Sequence, residues 1–157
     1  NNVKEIINGF SKNKNKYPLI IVGNLQDTDY VKGLQRIKNK DIYFIGGIYN
    51  KFELEVVRSN AFSYFHGHSV GGTNPSLLEA MASRNICVCH DNEFIKGVVQ
   101  GSGFYFKTEQ DISDIINDIE CNNYSNYRHE VFEKVKNYFN WDNIVSIYAA
   151  YFKEITK

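Results

Sequence analysis

Five short apolar runs rich in β-branched and aromatic residues alternate along this chain with stretches whose apolar residues recur at helical spacing, and that alternation limits what it can become. The runs are YPLIIVG from Tyr17, DIYFIG from Asp41, AFSYFHG from Ala61, ICVCH from Ile86 and GFYF from Gly103. A helix is expected over residues 2–12, where Val3, Ile6, Ile7 and Phe10 share a face and Asn2 with Glu5 has the form of a capping box. Further helices are expected from about Thr28 to Ile37, after Asn50, after Asn74, near Asp91 and through Ile112, Ile115, Ile116 and Ile119. Two more close the chain, about Tyr127 to Phe139 and Asp142 to Ile155. Strands alternating with helices read as βαβ units, hence an α/β fold with a doubly wound parallel sheet and C-terminal helices. The unbroken apolar character of YPLIIVG predicts a strand covered on both faces. Residues 1–157 read as one domain. Because they open in a helix where such a domain ordinarily opens in a strand, the expectation is a fragment lacking its first strand.

Composition removes several function classes. Eighteen basic residues balance eighteen acidic ones, which argues against a nucleic-acid partner, since that would require a basic stripe. No apolar run reaches the roughly 18 residues of a membrane span, and no signal peptide opens the sequence. Cys87 and Cys89 alternate along one strand and face the same way, which reads as buried reduced thiols of a cytoplasmic protein rather than a disulfide or a metal tract.

Ligands of doubly wound sheets bind beyond the carboxyl ends of the strands, which directs attention to the loops after Gly23, Gly46, Phe65 and His90. The third of these carries HSVGGTNPSLLEAMAS, residues 68–83. Asn74-Pro75 is a helix start, with Asn as N-cap and Pro in the first helical position. A helix mouth attracts anions, and Gly71 and Gly72 remove side chains where a ligand would approach the backbone. Together they suggest a phosphate seat. Glu79 stands one turn further on, roughly 7 Å along the axis from the cap, with its side chain leaning back toward the mouth. That separation suits a diphosphate and the ribose hydroxyls of one nucleotide. Ser76 and Glu79 equally fit an S-x-x-E capping box, in which the acid only bonds backbone. Spacing alone leaves both readings open.

The run G-G-T-N-P-S-L-L-E-A-M-A, reached through FSYFHGHSV, resembles the donor-binding loop and helix of retaining family-4 glycosyltransferases of GT-B fold. It is most similar to a bacterial rhamnosyltransferase branch. The likeness extends over NNVKEIINGF, PLIIVGN, RSNAF and the closing NWDNIVSIYAAYF. The resemblance implies the C-terminal, Rossmann-like half of a two-domain enzyme of polysaccharide biosynthesis. That half binds a nucleoside-diphosphate sugar, while a missing N-terminal domain supplies most of the saccharide acceptor site. It further implies that the basic residues gripping the diphosphate lie outside this sequence, that the isolated domain does not turn over, and that no cofactor or metal is required. The catalytic residues are therefore left unassigned. The expected location is the cytoplasm, with attachment at the inner membrane face through the missing domain.

Carried over position by position, the resemblance matches Glu79 to the second acid of the E-x7-E motif, which holds the ribose. Thr73, Asn74, Ser76, Leu77 and Leu78 match the stretch whose amides meet sugar and diphosphate. Gly46, Gly47 and Ile48 match the turn beside the base, and Gly23 and Asn24 match a glycine turn near the donor. Gly71 stands where the motif's first acid would be, eight residues before Glu79, which implies a donor with fewer hydroxyls, such as a 6-deoxy sugar.

Other residues have plainer readings. Asp27-Thr28-Asp29 forms a D-x-D, but it falls where a helix begins, and Asp and Thr are expected there as caps and dipole partners. His68 is a candidate donor to phosphate or sugar, whereas His66 reads as a strand end. The aromatic tail, including Trp141, Tyr148, Tyr151 and Phe152, reads as helix packing, with part of it facing the missing domain. Competing functions are a nucleotide-sugar epimerase of GT-B fold, a stand-alone nucleotide-sugar-binding module and a phosphoacceptor signalling domain. The last is disfavoured because the strand ends offer Asn24, Gly47, His66 and His90 rather than an aspartate.

Overall fold

The computed structural model describes residues 2–26 and 28–156. The strands are β1 (Leu19–Val22), β2 (Ile42–Gly46), β3 (Ser63–His66), β4 (Ile86–His90) and β5 (Phe104–Phe106). The helices are α1 (Val3–Phe10), α2 (Asp29–Gln35), α3 (Lys51–Ser59), α4 (Pro75–Ala82), α5 (Glu93–Val99), α6 (Glu109–Cys121), α7 (Ser125–Tyr138) and α8 (Trp141–Ile155). Every strand pairing is parallel, as βαβ units require. The strands nevertheless fall into two sheets, β1–β2 and β3–β4–β5, rather than one.

β4 organises the packing. Its first four residues are buried, and the strand period of two sends Ile86 and Val88 to one face and Cys87 and Cys89 to the other. On the first face lie Ile7 and Phe10 of α1 and Ile112, Ile116 and Ile119 of α6. On the second lie Leu77 and Met81 of α4, Ile95 and Val99 of α5 and Val131 of α7. Helices therefore cover both faces, and the i, i+4, i+7 isoleucines of α6 form the buried stripe that their spacing predicts. Cys87 and Cys89 are unpaired, and burial pushes the Cys87 thiol up to about 12, so it packs as an apolar group.

α7 is fastened by side chains that reach other elements' carbonyls. Arg128 donates to the carbonyls of Phe62 (2.6 Å) and Arg84 (3.0 Å), and Lys134 donates to those of Val99 (3.0 Å) and Gln100 (2.6 Å). The latter satisfy carbonyls at the end of α5 that have no helical partner. Tyr127 donates to Ser102 O from the same helix.

Three expectations need correction. Asn2 does not cap α1: its φ is 40°, and its amide instead donates to Gly67 O at 2.8 Å. β1 is not covered on both faces, because Ile20 is 48% and Val22 38% exposed and only Leu19 is buried. An apolar run shows that a strand avoids water but not which neighbours do the covering. Of the tail, Phe139 packs against the second face's core, but α8 has no buried residue, and Trp141 is 79% exposed. Among the described residues no helix is long and apolar enough to cross a membrane.

α1 and α6 approach closely at Gly9, where an added Cβ would lie 2.6 Å from Ile112 Cβ and 2.7 Å from Glu109 O. Asn8 Nδ2 to Glu109 Oε1 (2.6 Å) and Asn13 Nδ2 to Ser113 O (2.7 Å) lock the same interface, so the helices cannot part cheaply. Gly9→Ala should therefore cost about 1–3 kcal/mol. A thermal melt reads this as a drop of roughly 2–4 °C per kcal/mol, and an unchanged midpoint would show that the interface relaxes.

Candidate functional site

The carboxyl ends of β1 and β3 open on one cavity of about 1330 Å³, whose upper rim includes Gly23, Asn24, Gly47, His66, His68 and Ser76. His66, Gly67, His68 and Ser76 form one side of that rim, whereas Gly71–Asn74 and Glu79 are not among the residues that line the cavity. Asn74 caps α4: its Oδ1 accepts from Ser76 N at 3.0 Å and from Ser76 Oγ at 2.6 Å. Tyr64, two residues before His66 on β3, donates to Ser76 Oγ at 3.1 Å and ties the helix start to the sheet.

The cap consumes the helix's own donors. Pro75 has no N–H, Ser76 N is taken by the Asn74 side chain, and Leu77 N and Leu78 N both reach Asn74 O at 3.1 and 3.2 Å. The amides of Gly71, Gly72, Thr73 and Asn74 make no hydrogen bond among the described residues. The unpartnered donors therefore lie on the loop, one step upstream of where the helix-mouth argument puts them. Leu77 is fully buried in the core, so its side chain is structural.

Glu79 makes no capping box, because Asn74 performs that function. Its Oε2 instead pairs with Arg58 NH1 at 2.7 Å; the acid's side chain is 55% exposed and the arginine's 15%. Arg58 ends α3, twenty-one residues earlier, and lines the same cavity. Spacing could not have revealed it. A salt-bridged carboxylate with one oxygen on the arginine keeps acceptor capacity on the other.

Gly71 has φ +117° and Gly46 has φ +79°, both in the region that glycine adopts freely. Open space surrounds a Cβ at Gly71, so the constraint there is the backbone and not a neighbour. Gly71 is thus held in a conformation that a glutamate would adopt only with strain. Gly47 differs, because the Tyr49 ring lies against it with its hydroxyl 2.8 Å from an added Cβ. Ile48 is half-buried beside it on the cavity wall.

His66 and His68 stack with ring centroids 4.6 Å apart. His66 is 1% exposed, and neither ring nitrogen has a partner. Burial, with His68 adding to it, lowers its pKa to about 4; burial also lowers that of His68. Asn92 Nδ2 donates to His68 O at 3.0 Å, fixing this loop to the start of α5. His68 Nδ1 and His90 Nδ1 are likewise buried without a partner, so unsatisfied ring nitrogens gather at this end of β3 and β4. Of the D-x-D, Asp27 lies outside the described residues, while Thr28 Oγ1 accepts from Val31 N at 3.3 Å and Asp29 sits in the first turn of α2. Among the described residues no group of three or more His, Cys, Asp or Glu is arranged to hold a metal ion.

Residues 1–138 match the family described as glycosyl transferases group 1, nearly the whole of the 157-residue chain. The chain belongs to that family. No curated protein matches the sequence. Group 1 membership places the protein among glycosyl transferases, and the parallel α/β architecture with helices on both faces agrees with it.

Two outcomes are expected from this geometry. His66 has a folded pKa near 4 against 6.5 when unfolded, so the unfolded chain binds the extra proton between those values. Stability should fall by roughly 3 kcal/mol as pH drops from 6.5 to 4, with His68 acting in the same direction. Denaturant midpoints across that window for the wild type and His66→Phe check it, since the variant should lose most of the slope. Separately, Gly71→Ala should cost about 1 kcal/mol although the site is exposed and uncrowded, which chemical denaturation would detect.

Proposed function

We propose that this group 1 domain binds a nucleoside-diphosphate sugar across the carboxyl ends of β1 and β3, and that the complete enzyme transfers the sugar to a saccharide acceptor. The reading rests on one observation: four unpartnered loop amides, Gly71–Asn74, precede a helix whose only acid, Glu79, is half-exposed and held from outside by Arg58. The amides suit the diphosphate, and the free carboxylate oxygen suits the ribose hydroxyls. Gly46, Gly47 and Ile48 would flank the base, and Gly23 and Asn24 the phosphates. His68 is placed to donate to a phosphate oxygen or a sugar hydroxyl. Retention at the anomeric carbon follows the family-4 resemblance.

Departure of the diphosphate leaves negative charge on its bridging oxygen. Pre-aligned amides stabilise such charge without reorganising, which is the main service a domain of this kind renders to catalysis. Glycine at position 71 deletes an acceptor that a fully hydroxylated hexose would use, so a 6-deoxyhexose such as rhamnose is the proposed donor sugar.

The test is differential scanning fluorimetry with UDP, dTDP and GDP, their sugars and their 2′,3′-dideoxy forms, on wild type and Glu79→Gln. Ligand at about 100 times Kd should add roughly 2.7 kcal/mol to stability. Glu79→Gln should weaken binding of the ribonucleotide by about tenfold, the loss of one charged hydrogen bond, and leave the dideoxy form unaffected. Equal losses for both forms would remove the ribose role. Tighter binding of a fully hydroxylated hexose donor than of its deoxy counterpart would remove the 6-deoxy assignment.

A further inference from the structure

Among the described residues Tyr49 is the most exposed of the large apolar and aromatic side chains, at 85%. Its ring is nevertheless placed with care. It lies on Gly47, where an added Cβ would be 2.8 Å from the Tyr49 Oη, 2.9 Å from Cζ and 3.0 Å from Cε2. Gly47 has no positive φ, so the missing side chain at this position makes room for the ring and is not required by the turn. The segment that carries the ring is short and held at both ends. Gly23 N donates to Gly46 O at 3.0 Å, which ties the ends of β1 and β2 together. Asn50 Oδ1 accepts from Phe52 N at 2.9 Å and from Glu53 N at 3.3 Å, which fixes the start of α3. Gly23, Asn24, Gly47, Ile48 and Tyr49 all line the cavity described above.

Folding alone gives the ring little to do. An apolar residue directly ahead of an N-cap ordinarily packs on the fourth residue of the helix, as a hydrophobic staple. That residue is Leu54, and a ring 85% exposed makes no such staple. The Tyr49 hydroxyl has no hydrogen bond among the described residues either. One face of the ring therefore rests on a glycine and the other is open, at the strand ends where ligands of parallel sheets bind. We infer that Tyr49 is the stacking platform for the nucleobase of the donor, an inference that rests on the nucleoside-diphosphate reading above. The base is the one aromatic group of such a ligand, and offset stacking on a flat side chain is its strongest sequence-tolerant contact. A neutral ring does nothing for the diphosphate, so its contribution is confined to the base. Every base has a π face, so Tyr49 sets affinity for a nucleotide over a base-free ligand. The choice among bases is left to hydrogen bonds from the backbone of Gly46–Ile48.

The 157-residue chain and its Tyr49→Ala, Tyr49→Phe and Tyr49→Trp variants test this by titration. The ligands are UDP, dTDP and GDP, a sugar-bearing form of whichever binds tightest, and ribose 5-diphosphate, which lacks the base. For the tightest nucleotide, Tyr49→Ala should raise Kd by about tenfold or more, whereas Tyr49→Phe, which keeps the flat face, should change it by less than about twofold. Ribose 5-diphosphate should bind all four proteins alike. In Tyr49→Trp the nucleotide should quench indole fluorescence saturably beyond any change that Trp141 shows in the wild type, and ribose 5-diphosphate should not. Because the ring is exposed, the thermal midpoints of the free proteins should coincide, which separates a lost contact from a lost fold. Nucleotide binding by Tyr49→Ala equal to that of the wild type overturns the inference and leaves the donor site standing. An equal loss for ribose 5-diphosphate also overturns it, by marking a disturbed loop, as does a loss confined to the sugar-bearing ligand, which puts the sugar on the ring instead. If the wild type binds none of the nucleotides, the nucleoside-diphosphate reading falls and this inference falls with it.

Discussion

Burial of β4 on both faces is the condition that the remaining structure satisfies. Because its side chains alternate, one five-residue strand joins two packed groups: Ile86 and Val88 with α1 and α6, Cys87 and Cys89 with α4, α5 and α7. Full burial of such a side chain is worth about 1.5–3 kcal/mol, so the strand anchors both layers. The consequence for the site is direct. β3 pairs with β4 in register from Ser63↔Ile86 to His66↔Cys89, and α4 packs its Leu77 and Met81 on the Cys87 face. The loop that joins β3 to α4 is thus held at both ends by contacts to one buried strand, although the loop itself is exposed at Gly71–Thr73.

Much of this was legible because it is local. The caps at Thr28, Asn50 and Asn74 all accept the expected backbone N–H groups, since a side chain two or three residues from a helix's first amides needs no tertiary information. The isoleucine stripe of α6 and the alternation of ICVCH were similarly transparent. What stayed hidden involves partners distant in sequence. Asn2 and Glu5 have the capping-box letters, yet Asn2 serves Gly67, sixty-five residues away. YPLIIVG is apolar enough for a covered strand, but its cover depends on what occupies the space between β1 and β3. α8 differs from its expected packing for the same reason: amphipathic spacing shows that a helix has an apolar face, not that anything lies against it.

Arg58 illustrates how a distant residue changes the meaning of a motif. An acid one turn inside a helix mouth opposes the anion that the mouth attracts, by roughly 0.6 kcal/mol at 7 Å in water and several times that at a lower effective dielectric. A lone Glu79 would therefore weaken a diphosphate site while serving a ribose. The guanidinium of Arg58, mostly shielded from solvent at 2.7 Å, balances that charge and fixes the carboxylate's direction. On the proposed reading the pair would make the two tasks compatible, and no pattern within 68–83 could have announced it.

Asn74 sets a second limit on where an anion can sit. A strong side-chain cap and an open set of helix-mouth donors are mutually exclusive, because both need the same amides. Here the cap prevails: Ser76, Leu77 and Leu78 all donate to Asn74, and Pro75 has nothing to give. The aligned peptide dipoles still point their positive end at the loop, so the long-range attraction survives while the short-range donors move to Gly71–Asn74. With φ at +117°, Gly71 helps to turn that run of amides, so its identity is fixed by backbone shape before any ligand is considered. The absence of a carboxylate at this position and the shape of the loop are then one property of the chain rather than two.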